Sequence, residues 1–167
     1  KLIVKFENTI NSHPDSAYFY IIKAKKESQK CNNDFLLSRC YCKLGYYYYI
    51  KNEIDKSKIH LNQSILFSRK SKNFKSLAAA YNQLGIIDME RSDFEGSLKK
   101  LLIATKISET NDLIAMLCSS LINIGNLFEI QNDTIHALEY YEKSKEIAEK
   151  NDLEDYKLYS YSCIAIL

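Results

Sequence analysis

An apolar residue followed by glycine recurs at a fixed interval: Leu44-Gly45, Leu84-Gly85 and Ile124-Gly125 are each 40 residues apart. Three segments align on these pairs without gaps, starting at Tyr41, Tyr81 and Leu121. Further columns keep the same register: Ser57, Ser97 and Ala137; Leu61, Leu101 and Tyr141; Ser64, Ala104 and Ser144. The register extends backwards to Ala17, Ile21 and Ala24, and forwards to Tyr161, Ile164 and Ala165. A repeat of this length makes the fold an array of small units, because one unit cannot bury its apolar face alone and stacking completes the core.

Each unit reads as two helices. Apolar residues recur at steps of three and four, as in Tyr41, Leu44 and Tyr48, and in Leu98, Leu101 and Leu102. Short polar turns ("KNEI", "RSDF", "QNDT") join the two helices of a unit, and "CNND", "SKN", "TND" and "KND" separate units. Asp34, Asn73, Asp112 and Asp152 are placed as N-caps of the following helices, and Ser12 as the cap of a helix with Pro14 in its first turn. A glycine inside a helix costs about 1 kcal/mol relative to alanine, so three in register call for close helix packing. Ser57, Ser97 and Ala137 are expected to lie against them.

Breakers are scarce, with one proline and four glycines in 167 residues, which favours helices over sheets. The expected fold is all-α, with about 8–9 helices. A formal charge of +2 gives no electrostatic case for nucleic acid. No apolar run is long enough to span a membrane. The five cysteines have no framework spacing, and each reads as a small core or surface residue. His13, His60 and His136 fall in no metal or nucleophile motif, and "NDLED" lacks the glycine of a calcium loop. We therefore expect no catalysis, metal or cofactor. Lys1 in place of a methionine, and the half-repeat "YSYSCIAIL", lead us to expect a piece of a longer protein. Ile164, Ile166 and Leu167 are expected to lack a partner, with the open end covered by self-association as a homodimer.

The repeat resembles the tetratricopeptide repeat, whose signature runs W-x2-L-G-x2-Y followed by A-x3-F and P. Here Tyr41, Tyr81 and Leu121 hold the tryptophan column, Tyr48, Asp88 and Phe128 the tyrosine column, and Ala137 with Tyr141 the A-x3-F pair. The period is longer than the family's, and Arg69, Glu109 and Glu149 replace its proline. Such long units resemble those of bacterial regulators. The resemblance implies a right-handed α-solenoid of antiparallel helix hairpins: an incomplete unit at 1–33, units at 34–72, 73–111 and 112–151, and a first helix at 152–167. It implies a non-catalytic, cytoplasmic scaffold of a transcriptional-regulator or histidine-kinase type of protein, periplasmic if a leader has been removed. Such a scaffold binds a protein or peptide, and neither nucleic acid nor membrane, in a groove lined by the first helix of each unit. Carried over residue by residue, that groove comprises Arg39, Lys43, Tyr46, Tyr49, Asn82, Gln83, Asn123 and Asn126, with Cys42, Ile86, Met89, Ile122 and Glu129 beside them. The alternative is a scaffold that positions an effector domain or joins copies, with no separate ligand.

Two features remain within this frame. Asp88 stands where other units place an aromatic ring, so it is expected partly buried, bonded to a tyrosine hydroxyl or to a ligand at the groove's end. In "YYYY", Tyr47 and Tyr48 fall in core columns and Tyr46 and Tyr49 in groove columns.

Overall fold

The computed structural model describes residues 1–167. It is all-α, with nine helices: α1 (Leu2–Thr9), α2 (Pro14–Lys30), α3 (Asp34–Ile50), α4 (Ile54–Ser71), α5 (Phe74–Glu90), α6 (Phe94–Thr110), α7 (Ile114–Ile130), α8 (Thr134–Lys150) and α9 (Glu154–Ile166). From α2 onward each helix starts 20 residues after the one before. The 40-residue repeat is thus two half-repeats that share one turn, a shorter period than the sequence columns reveal.

That turn places a non-glycine residue in the left-handed region each time: Asn32, Asn52, Lys72, Ser92, Asp112, Asn132 and Asp152. Its N–H bonds three residues back, as from Asn132 to the Glu129 carbonyl at 2.9 Å. The next N–H bonds five back, as from Asp133 to the Phe128 carbonyl at 2.9 Å. This is the Schellman closure, which satisfies the last carbonyls of each helix. Asparagine and aspartate tolerate the left-handed region better than other side chains do, and Lys72 carries a local penalty of about 1 kcal/mol. The α1–α2 connection lacks this turn; there the His13 N–H bonds the Thr9 carbonyl at 2.7 Å and Pro14 opens α2.

The repeated turn revises the expected caps. The residue after the left-handed one is the N-cap, so Asn33 accepts from the Leu36 N–H at 2.9 Å and Asp34 is the first residue inside the helix. Asp112 and Asp152 are themselves the left-handed residues, and Leu113 and Leu153 stand at the caps without side-chain bonds. His13, not Ser12, caps α2. Asn73 is a cap as expected, accepting from the Ser76 N–H at 3.3 Å. Its amide also donates to the Ser38 hydroxyl at 2.8 Å, tying the start of α5 to α3.

The chain forms two compact bodies, Lys1–Gln83 and Leu84–Leu167, with the boundary inside α5. In the first, Ile3, Phe6, Ile10, Ile21, Cys40, Leu44 and Tyr47 form one core. In the second, Ile122, Ala137 and Tyr141 pack with Phe128, Tyr156, Cys163 and Ile164, so Ile164 does have a partner, while Ile166 is exposed. Within that body α7 packs on α6, α8 and α9.

The glycines do mark close helix approaches, and Ser57 and Ser97 lie against Gly45 and Gly85 as expected, but a larger side chain fills the space beside them. A Cβ on Gly45 would lie 2.5 Å from Leu61 Cδ2, one on Gly85 2.7 Å from Leu101 Cγ, and one on Gly125 2.6 Å from Tyr141 Cδ1. The filling side chain is therefore the large one four residues after the small column. The small residue has another task in α4, where the Ser57 hydroxyl donates to the Gly45 carbonyl at 2.8 Å.

Candidate partner-binding faces

Side chains at 119, 122 and 123 of α7 face those at 155, 156 and 159 of α9. They enclose an open cavity of about 260 Å³ lined by Ser119, Ile122, Asn123, Asp155, Tyr156 and Tyr159. Ile122 is buried beneath it and Tyr156 packs on the same cluster, with its phenol pushed up by burial. Tyr159 is 50% exposed and offers a ring face at the rim. The lining combines aromatic wall, amide, hydroxyl and carboxylate. These groups can hold the alternating polar and apolar surface of an extended peptide.

Of the expected groove residues, Asn123 lines this cavity. Asn126 turns instead toward α8: the Tyr141 hydroxyl lies 2.7 Å from its Oδ1 and 2.6 Å from Glu129 Oε2. One hydroxyl carries one proton and can donate only once. The satisfied arrangement has Tyr141 donating to the Glu129 carboxylate and accepting from the Asn126 amide, turned over. Burial, and then that carboxylate, push the Tyr141 phenol far up.

In the first body, Lys43 reaches back to Glu7 of α1 at 2.8 Å, so its charge is matched within the chain. Arg39 lines a second cavity, about 340 Å³, with Leu2, Ile3, Ala24, Cys31 and Leu36. Tyr46 is half-buried against the first core, and Tyr49 is half-buried. Tyr47 is buried with its ring tilted against Tyr18 at 4.9 Å, while Tyr48 stacks on His60 at 5.1 Å. Asn82 is buried, and the Gln83 amide nitrogen is buried without a hydrogen bond.

Asp88 is 3% exposed and forms an ion pair with the Lys100 ammonium of α6. The pair occupies the register of Tyr48 with His60 and of Phe128 with Tyr140, both stacked rings. A single position on the hairpin thus takes either an aromatic stack or an ion pair.

No three His, Cys, Asp or Glu side chains converge into a metal-binding group. Burial pushes the Cys40 thiol up to about 11 and raises Cys118 and Cys163, which keeps all three protonated and poor nucleophiles at neutral pH. Asp155, Tyr156 and Tyr159 belong to no motif and lie on the last helix, outside the three full units from which the groove columns are drawn. The signal was in the register: Tyr159 lies 40 residues after Ser119, on the opposite side of the same cavity.

A scan against protein-family models matches none, and a search of curated proteins finds no match. No helix is long and apolar enough to cross a membrane.

Proposed function

We propose that the chain is a non-catalytic scaffold of tetratricopeptide type that binds a protein or peptide segment between first helices of neighbouring hairpins. The observation that carries this is the α7–α9 cavity, where Asn123, Tyr156, Tyr159 and Asp155 converge over an apolar floor. The resemblance of the repeat supplies the context: the repeat region of a larger, cytoplasmic bacterial regulator of transcription-factor or histidine-kinase type. Preorganised side chains on rigid helices bind with little ordering cost, which suits recognition better than chemistry.

The test is selection of peptides from a random display library on the whole chain, followed by anisotropy titration of the winners. Asn123→Ala and Tyr159→Ala are each expected to weaken binding about tenfold, which is about 1.4 kcal/mol. Winners that bind both variants with unchanged affinity would remove the groove assignment. The alternative reading, a scaffold that joins copies, is favoured by the exposed stripes on α2 and α8 described next.

A further inference from the structure

Charge is strongly segregated along the chain. Residues 1–83 hold 15 Lys and Arg against 6 Asp and Glu, whereas residues 84–167 hold 8 against 15. The small net charge conceals a basic body and an acidic one.

Two helices concentrate this difference on single faces. On α2, Phe19, Lys23, Lys26 and Lys30 stand at steps of four, three and four, which places them on one side of the helix. All four are exposed, Phe19 at 63%, and none of the three lysines is in an ion pair. On α8, Ile135, Glu139, Glu142 and Glu146 repeat the same steps. Ile135 is 81% exposed, among the most exposed large apolar side chains of the chain. Glu139 pairs with Lys143 at 2.6 Å and Glu142 with Lys145, both one turn along the same helix. The Glu139–Lys143 pair is exposed and therefore weak, while Lys145 is partly covered against Tyr161, so of the three glutamates Glu142 is the most firmly paired within its own chain. Each stripe thus consists of one apolar residue followed by three like charges. The two stripes match in spacing and oppose in sign.

We propose that these stripes are the two halves of one self-association contact: α2 of one copy lies along α8 of a second copy. Run in parallel, the helices set Phe19 beside Ile135 and Lys23, Lys26 and Lys30 against Glu139, Glu142 and Glu146. The two surfaces differ, so the contact is heterologous and each copy retains a free stripe of each kind, which permits a ring or an open chain. Like-signed pairings, α2 on α2 or α8 on α8, are repelled, and of the two opposite-signed runs the parallel one sets the two apolar residues together. The contact does not use the α7–α9 cavity, so the two readings stand or fall separately.

Sedimentation velocity on the whole chain tests it. Association is expected at low ionic strength, weakened about tenfold or more at about 0.5 M salt, where the Debye length falls below 5 Å or so. The charge-reversed sets Lys23→Glu/Lys26→Glu/Lys30→Glu and Glu139→Lys/Glu142→Lys/Glu146→Lys should each be monomeric alone. Mixed in equal amounts they should associate, because the untouched acidic stripe of the first meets the untouched basic stripe of the second. Circular dichroism should show both sets folded, since lysine and glutamate are both good helix formers. A wild type that stays monomeric at about 0.5 mM in low salt overturns the proposal, as does a reversed set that still self-associates. Lysine-dependent binding of a nucleic acid or of anionic vesicles by a strictly monomeric wild type would assign the basic stripe to a polyanion instead.

Discussion

In the hairpin of α3 and α4 the side chain opposite the helix glycine is Leu61; in that of α7 and α8 it is Tyr141. Both are fully buried, and both sit in the space a missing Cβ leaves. Leucine asks nothing more of its neighbours. Tyrosine brings a hydroxyl into the interior, and an unbonded one costs free energy. The second hairpin answers with Asn126 and Glu129 on α7, while the first has Tyr46 and Tyr49 at the equivalent positions. The polarity of a first-helix face therefore follows from what fills the hairpin behind it. An amide or carboxylate in a groove column can belong to the fold rather than to a ligand.

The sharpest way to break the comparison is to fill the gap. Gly125→Ala and Gly45→Ala should each gain about 1 kcal/mol of helix propensity. Each should lose more to overlap, for a net destabilisation of about 1–3 kcal/mol. Gly125→Ala should be the more damaging. Its new methyl meets the rigid ring edge of Tyr141, held by two polar contacts, whereas that of Gly45→Ala meets the branch of a leucine. Urea denaturation of the whole chain measures both. Equal losses would show that the two fillings yield alike.

The hydroxyl itself comes next. Tyr141→Phe keeps the ring and strands Asn126 and Glu129, for a loss of about 1–2 kcal/mol at neutral pH. The pH dependence adds a second handle. The folded-state phenol is raised above its unfolded value, so its contribution is complete below about pH 10 and fades as pH rises beyond that. The stability gap between wild type and Tyr141→Phe should therefore narrow above pH 10. A gap that widens there would mean the phenolate is accommodated inside the hairpin.

This contrast marks what could be read from residues alone. The 40-residue register, the helical class and the glycine contacts follow from spacing, because a glycine column has few causes. The small residue beside a glycine is legible in the columns, as Ser57 against Gly45 shows, whereas the large side chain that fills the space one turn on is not. The 20-residue half-repeat was hidden because its turn residue changes from Asn to Lys to Ser to Asp: the backbone repeats and the side chain does not. Asn123 was placed on a cavity wall and Asn126 against a buried phenol, although both are asparagines in groove columns. Telling them apart requires knowing that residue 141 is large enough to reach α7 and polar enough to need it.

The smallest effect tests whether the aromatic stacks of the two hairpins are interchangeable. His60 lies between Tyr41 and Tyr48, at 5.9 and 5.1 Å, with its Nδ1 buried and unbonded. Tyr140 holds the same register in the other hairpin, stacked on Phe128 at 5.7 Å. Burial, and then the nearby Lys25 charge, hold the His60 imidazole below its ordinary range. Its folded state thus favours the neutral ring. Stability from that preference is present above about pH 6.5 and is lost as pH falls through the folded value, because the unfolded chain takes up the proton first. His60→Tyr installs the other hairpin's residue. The phenol is bulkier than the imidazole, so at pH 8 the variant should lose about 1 kcal/mol, the low end of overpacking, because the site is only partly buried. Between pH 6.5 and 5 the wild type should weaken relative to the variant, in urea denaturation at each pH. Parallel curves for the two proteins would mean that His60 takes its proton in the folded stack without cost, and that the two stacks differ in more than their rings.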